Sequence, residues 1–478
     1  MPANIPLMTK IKGARWFVIV LIFLAAVLNY VDRQTLSVLA PTMQHDLGMD
    51  DRQYADIINL FLLAYTVAYL VSGKLVDKLG TRLSLSLFLA WWSVANILTS
   101  TVQGMRSLGA CRFLLGLGEA GVWPAASKAV SEWFPARERA LAIGIYSMGA
   151  TMGATMTPYL VIHLTIFSKA GEFPFLRQVF GIGAGWRLAF ILTGLMGLLL
   201  IIPWLIFYRL PRQSKYVSQE ELHLIEDVPS GEDTAGQSNA EKSWSWKQAL
   251  AFKATWLLLL GRLITDPIWY FYQFWFPKYL NSERGFSQEQ LKITWLIYAA
   301  AGLGSILGGW LSGQLIRRGA SPVASRFRIM LGCACLLPLS PMIAQTADAD
   351  VAMMLAFITV LASLAWLVNI SALVVDTVPK HSVGTVFGIV AAGSTLGGII
   401  MNTIVAAMVC GTPLQAGGFM DQTVTAVFGG FLKLLHGLGY GHWFLIMAFL
   451  HPIAWLVLWL GGIGRYSGRS ARHNLGQT

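Results

Sequence analysis

The sequence predicts an all-α integral membrane protein with about twelve transmembrane helices in two pseudo-symmetric six-helix bundles. Three observations predict it. Hydrophobic residues make up 55% of the 478 and charged residues only 12%, where a soluble domain carries roughly a quarter charged residues. Apolar runs of about 20 residues, enough to cross the hydrocarbon layer, recur along the whole chain. Segments of the first half recur in the second.

The runs lie near 16–40, 54–76, 83–103, 106–133, 138–166 and 183–209, then near 252–281, 288–316, 323–345, 351–376, 383–410 and 441–463. Without water in the bilayer core, each must be a helix. The basic start (Lys10, Lys12, Arg15) before the first run is like a signal peptide, but no small-residue cleavage site follows and the run continues into Asp32 and Arg33. It is therefore expected to stay as the first membrane helix. The expected organisation is a first bundle over 1–209, a flexible polar linker over 210–247 with Ser230, Gly231, Glu232 and Asp233, and a second bundle over 248–478.

The formal charge of +11 belongs to the loops rather than to a nucleic-acid surface. With the N-terminus inside, Lys74, Lys78, Arg82, Arg137, Arg139, Arg209, Arg212, Arg317, Arg318, Arg326 and Arg328 fall on one side, and Asp46, Asp50, Asp51, Asp348 and Asp350 on the other. Both termini and the linker are then expected in the cytoplasm. Cys111, Cys333, Cys335 and Cys410 lie in apolar segments without metal or redox spacing. No cofactor, metal or catalytic residue is expected, and the chain is not expected to be an enzyme.

Two echoes relate the halves. Ser72-Gly73-Lys-Leu-Val-Asp-Lys-Leu-Gly80 resembles Ser312-Gly313-Gln-Leu-Ile-Arg-Arg-Gly319, with one gap. Pro135, Gly144, Gly149 and Gly153 match Pro379, Gly388, Gly393 and Gly397 at one offset, which also sets Glu132 on Asp376. Duplicated halves are what a transporter needs when one half rocks against the other around a central site.

Charges inside apolar helices cost a few kcal/mol and demand a partner, a cavity or a task. Asp32 and Arg33 interrupt the first helix, Arg112 and Glu119 the fourth. Counting from Pro41, Asp32 lies roughly 13 Å along its helix; counting from Arg106, Arg112 lies about 9 Å and Glu119 about 20 Å down. Arg112 and Glu119, two turns apart, share a face. The four can line one cavity in which arginine forks a carboxylate. A substrate anion that occupies the arginine frees a carboxyl to take a proton. The competing reading is a permanent ionic brace between helices.

Tyr30 and Tyr65 are polar candidates in the same half, against a packing role. Trp269, Tyr270, Tyr272, Gln273 and Trp275 crowd the seventh helix behind Asp266-Pro267. Of these, Tyr272 and Gln273 are taken as substrate-reading residues, although a belt of interfacial aromatics is the alternative for Trp275 and Tyr279. Trp366 and Asn369 share a face of the tenth helix and can set a stacking ring beside an amide. Asn402 favours a helix-to-helix hydrogen bond. Gly116-Leu-Gly118-Glu-Ala-Gly121 matches a dinucleotide pattern but sits inside an apolar helix, without the strand it requires; close helix packing explains it better. His163, His436, His442 and His451 are placed near loop ends and form no ligand pair. No Walker loop appears, which argues against an ATP-driven pump.

At this point the chain resembles the major facilitator superfamily. Gly73-Lys-Leu-Val-Asp77-Lys-Leu-Gly80-Thr-Arg82 is similar to its loop signature, with Lys78 where arginine is usual. The resemblance implies that Asp77 and Arg82 gate the cytoplasmic side. Asn29-Tyr30-Val31-Asp32-Arg33, and Arg112 with Gly116, Glu119, Ala120 and Pro124, resemble the anion:cation symporter family. That likeness implies proton coupling at Asp32 and Glu119, and coupling or substrate roles for Arg33, Arg112 and Tyr65. Thr265-Asp266-Pro267, the run to Pro277-Lys278-Tyr279, and Trp366-Leu-Val-Asn369 look like the bacterial hexuronate branch. The expected function is proton-coupled symport of a sugar-acid anion, a hexuronate first, by a chain acting as a monomer with protons, a small organic anion and the lipid bilayer as partners. The alternatives are another organic anion (aldonate, sugar diacid or tartrate), a multidrug exporter, or a sensor on a transporter fold. The 411–440 segment, longer than the family usually has, carries no assigned role.

Overall fold

A computed structural model of the protein describes residues 13–49, 51–169, 185–226, 243–287, 290–409, 429–430 and 433–465. Among these residues every regular element is a helix. The first half holds α1 (Ala14–Leu47), α2 (Asp51–Leu79), α3 (Thr81–Thr99), α4 (Met105–Glu119), α5 (Val122–Trp133), α6 (Ala136–Lys169) and α7 (Gly185–Phe207). Next come α8 (Gln219–Glu226) and α9 (Trp246–Ala251). The second half holds α10 (Lys253–Phe274), α11 (Phe276–Ser282), α12 (Trp295–Arg317), α13 (Pro322–Leu336), α14 (Pro341–Gln345), α15 (Ala349–Thr377), α16 (Val383–Val409) and α17 (Gly439–Leu460). Counting α4–α5, α10–α11 and α13–α14 as one crossing each gives twelve membrane-length segments among the described residues.

Eight described helical stretches are long and apolar enough to cross a membrane by themselves. The other crossings are α3, α4–α5, α6 and α10–α11. These are broken or carry polar side chains such as Asn96, Arg112, Arg139 and Arg262. A helix that faces a polar interior loses the uniform hydropathy that marks a lipid-facing one. Leucine, tryptophan and valine side chains on the outer surface, for example Trp91, Leu199, Leu303 and Leu456, are solvent-exposed in the isolated chain and would meet lipid tails.

The duplicated glycines explain how the bundles meet. A Cβ added at Gly149 or Gly153 would lie 2.6 or 2.4 Å from the carbonyl oxygen of Phe23 or Val27, on α1. Their counterparts Gly393 and Gly397 press equally on the carbonyls of Leu259 and Leu263, on α10. Gly144 meets the Ser305 carbonyl of α12 across the two halves, and its counterpart Gly388 meets the Tyr69 carbonyl of α2. α6 thus packs on α1 and α12 as α16 packs on α10 and α2, which is the pseudo-symmetry expected from the repeats. Gly73 and Gly384 complete the α2–α16 crossing backbone to backbone.

Three expectations change. The fourth span is two helices, because the chain breaks at Ala120–Gly121 between α4 and α5. The described ends of the 210–247 stretch are folded rather than flexible. On α8, Glu221 accepts the backbone N–H of Ala14 at 3.0 Å and pairs with Arg15 at 2.8 Å, so a carboxylate meets the orphan donors that open α1. The Lys74 ammonium donates to the Ser243 hydroxyl at 2.8 Å, and the Trp244 backbone N–H donates to the Ser382 hydroxyl at 2.9 Å. Ser230, Gly231, Glu232 and Asp233 lie outside the described residues, as do Cys410 and most of 411–440. Finally, His451 sits inside α17, buried against Trp366 with ring centroids 4.9 Å apart, and not near a loop end.

Candidate functional site

The helix break places the site. α4 ends on Glu119, and a turn at 120–121, whose two residues keep right-handed helical backbone angles, joins it to α5. Glycines make room for it: a Cβ at Gly116 would strike the Phe61 carbonyl of α2 at 2.7 Å, one at Gly118 the Trp91 ring of α3 at 2.6 Å, and one at Gly121 the Phe88 ring at 2.3 Å. Asn29 donates to the Glu119 backbone carbonyl at 3.4 Å, partnering a group at the break. Glu119 is then held at mid-membrane facing α1.

Arg33 receives it. The guanidinium donates to Glu119 Oε2 through Nη2 at 2.9 Å and Nε at 3.2 Å. Its side chain remains 26% exposed while that of Glu119 is fully buried, so the pair has one open side. The guanidinium lies 4.8 Å from the Tyr30 ring centroid, 4.7 Å from that of Tyr65 and 5.3 Å from that of Phe61. Aromatic faces attract a cation and fix its plane. Trp123 of α5 closes the cage, its indole N–H donating to the Tyr65 hydroxyl at 2.6 Å.

Asp32 faces elsewhere, as an adjacent helical residue must. Asn96 donates to its Oδ1 at 2.7 Å and contacts the Thr193 hydroxyl at 2.8 Å. Asp32 Oδ2 has no hydrogen-bond partner among the described residues. Arg112 is buried, lies 5.1 Å from the Phe190 ring centroid, and leaves Nε and Nη2 unpartnered. Asp32 and Glu119 are the acids close enough to act on it electrostatically. Glu119 Oε1 is unpartnered as well. The four charges therefore gather as the depth argument expects, with one refinement: Arg33 reaches Glu119, while Arg112 stands between two carboxylates without bonding either. A buried guanidinium with idle donors beside carboxylates with idle oxygens is not a finished brace.

The second half offers different residues from those expected. Tyr272 turns away from the first half, its hydroxyl 2.6 Å from that of Thr359 and its ring against Phe276. Trp366 packs on His451, and Asn369 donates to the carbonyls of Gly308 and Ala365 at 3.1 and 2.8 Å. These three lie inside the second bundle and are not brought to the charged cluster. Gln273 is half-buried, on the face of α10 that also carries Trp269 and Tyr270. Tyr270 interacts electrostatically with Tyr30 and Arg33, and Tyr298 of α12 with Tyr30. Trp269 packs edge-on against Tyr298 at 6.1 Å. Asn402 accepts from the Trp275 indole N–H at 2.9 Å, a helix-to-helix bond as expected.

Sequence reasoning also missed an ion pair. Arg262 and Asp266, one turn apart on α10, bond at 2.7 Å in a largely buried position. Arg262 lies 6.0 Å from the Phe387 ring centroid and within electrostatic reach of Tyr69 on α2. Two charges four apart in an otherwise apolar run were the available signal.

The end of the bundle that carries the linker is shut. Asp77 accepts from Lys128 at 2.9 Å, from the backbone N–H groups of Gly384 and Thr385 at 3.0 and 2.6 Å, and from the Thr385 hydroxyl at 2.6 Å. It thereby binds the N-terminus of α16 across the halves. Arg139 pairs with Asp376 at 2.8 Å, and Arg326 donates to Asp376 and to the Ala136 carbonyl at 3.2 and 2.7 Å. Arg82 is apart from this gate, donating to the Leu205 carbonyl of its own half. Beyond Thr66–Thr395 at 3.1 Å, no hydrogen bond among the described residues ties the halves toward the far end.

Comparison with known proteins agrees with this architecture, for residues 22–402 match the family model of the Major Facilitator Superfamily. The chain belongs to that superfamily. Among its relatives, the hexuronate transporter of Escherichia coli K12 is 31% identical over 404 residues, covering 84% of this chain and 89% of that one. The galacturonate transporter of Dickeya chrysanthemi is 32% identical over 305 residues, covering 64% of this chain and 83% of that one. The solved Major Facilitator Superfamily transporter FucP, in its outward conformation, aligns with TM-score 0.65 at 14% identity, covering 94% of this chain and 99% of that one. Arg33 and Tyr30 of the first bundle lie within electrostatic reach of Tyr270 in the second, and Tyr30 also of Tyr298.

Proposed function

We propose that the chain is a proton-coupled symporter of a sugar-acid anion, with a hexuronate as its substrate. The observation that carries this reading is the caged Arg33 with one open side, bonded to a fully buried Glu119. The two relatives are named for hexuronate and galacturonate, which directs the substrate class. A substrate carboxylate entering from the far end can take the donors of Arg33. Glu119 then loses its cation in a buried place, where an unpaired carboxylate is costly, and it takes a proton. Asp32 is the second proton carrier, and Arg112 beside it, with free donors, senses its charge or supplies a second fork for the substrate. Gln273, Tyr270, Tyr298 and Trp269 read the sugar hydroxyls and ring. Asp77 gates the linker end by letting go of α16, with Arg139, Arg326 and Asp376 beside it.

On this reading the first bundle ends near 209 and the second begins near 248. Both termini and the linker face the cytoplasm of a bacterial inner membrane, and one chain is the working unit. The chain performs transport and no chemical conversion. The test is uptake of labelled galacturonate and glucuronate into proteoliposomes with and without an inward proton gradient. Gradient-driven accumulation of either is expected. An inserted, folded protein that takes up neither would move the assignment to aldonates or sugar diacids, screened under the same gradient.

A further inference from the structure

The outer surface of the second half carries a feature that transport does not use. Between α12 and α13, near the turn that joins them, lies a cleft of about 370 Å³ lined by Trp310, Leu311, Gln314, Leu315, Arg318 and Ile329. Trp310 and Leu311 are exposed and continue an apolar strip through Leu303 and Leu307 of α12, while Leu331 and Leu336 extend α13 in the same way. This wall belongs to the bilayer. Its closed end is basic: Arg317, Arg318 and Arg328 are exposed, none has an ion pair among the described residues, and residues 311–330 contain no acidic side chain. Arg326 of the same helix shows what a satisfied arginine does here, turning inward to Asp376.

We propose that this cleft binds an anionic phospholipid, its phosphate on Arg318 and an acyl chain along Trp310, Leu311 and Ile329, with the exposed Arg317 and Arg328 of the same two helices adding positive charge. Charge complementarity selects the headgroup, since guanidinium forks phosphate in two parallel bonds. A zwitterionic headgroup would leave the three cations in excess. The apolar wall selects a lipid over a soluble phosphate, because only a chain in the bilayer covers Trp310 and Leu311. Basic pockets between membrane helices hold anionic headgroups in this way.

The test uses the full chain purified in mild detergent, with phosphatidylglycerol or phosphatidylethanolamine added and bound lipid read by native mass spectrometry and unfolding temperature. Phosphatidylglycerol is expected to remain bound and raise the unfolding temperature, and phosphatidylethanolamine to do neither. The double variant Arg318→Ala/Arg328→Ala should need on the order of tenfold more phosphatidylglycerol for the same effect. Trp310→Ala, which keeps every charge, should also weaken retention and guards against misfolding of the double variant. Equal retention by wild type and both variants overturns the proposal. So does equal binding of phosphatidylethanolamine, or full stabilisation by glycerophosphate alone.

Discussion

Arginine and carboxylate at mid-membrane are informative because the bilayer tolerates few of them, and Asp32, Arg33, Arg112 and Glu119 were legible in the sequence for that reason. What sequence could not decide was direction. Helical spacing puts Asp32 and Arg33 on different faces, but only the fold shows Arg33 on Glu119 and Asp32 on Asn96. Asp32→Asn is expected to abolish gradient-driven accumulation while counterflow exchange persists; accumulation at the wild-type level in vesicles would remove Asp32 from the coupling. Arg33→Lys keeps the charge but loses the planar fork, so KM for the sugar acid should rise about tenfold, the equivalent of about 1.4 kcal/mol, with the protein still folded. Arg33→Ala is a harsher change. It leaves Glu119 buried without its cation, so the carboxyl must take a proton or stay unpaired, and a lower unfolding temperature is expected even without substrate. The aromatic run of α10 shows the limit of the residue scale. Tyr270 and Tyr272 differ by two positions, nearly opposite on a helix, and nothing in their chemistry says which one faces the first half.

At the scale of the element, the duplicated glycines were legible as a pattern, and their purpose became plain only with their partners. Gly144 and Gly388 each lie where a Cβ would sit 2.2 or 2.3 Å from a carbonyl oxygen of the other half. Gly144→Val should therefore hold α6 away from α12 and keep the linker end from shutting. The expected result is at least a tenfold fall in uptake rate with normal membrane insertion, measured in the same vesicles. Gly116→Ala acts within the first half, pushing α4 off α2, and should cost about 1–3 kcal/mol as overpacking does, read by thermal unfolding. The break after Glu119 and the folded α8 escaped the sequence reading for opposite reasons. The 106–133 run is continuously apolar enough to look like one helix, whereas the residues of α8 are polar enough to look like linker. α8 holds its shape through Glu221, Arg15 and the first turn of α1, contacts more than two hundred residues apart in the chain that local composition does not report.

At the scale of the whole molecule, the hydrogen bonds that tie the halves among the described residues gather at the linker end, with Thr66–Thr395 beyond them, so the protein is shut on that side. Asp77→Asn combined with Arg139→Gln removes charge from two of the cross-half ties. A cysteine placed at Ala140, buried at the α6–α12 contact, should then react with an impermeant maleimide from the linker side about tenfold faster, since about 1.4 kcal/mol less closure is a tenfold larger open fraction. An unchanged labelling rate would mean that other contacts set the closed state. The twelve crossings and the two-bundle plan followed from hydropathy and repeats, because both are written in long stretches of chain. The conformational state did not, because it depends on a few polar contacts between segments hundreds of residues apart. The glycine crossings have a last consequence. Where α6 meets α12 and α16 meets α2, the glycines set backbone directly against backbone. Such a joint behaves as a bearing. Once the polar ties such as Asp77–Thr385 and Thr66–Thr395 release, the bundles can roll over it by a fraction of a turn, so the route between one opening and the other need not pass through an unpacked core.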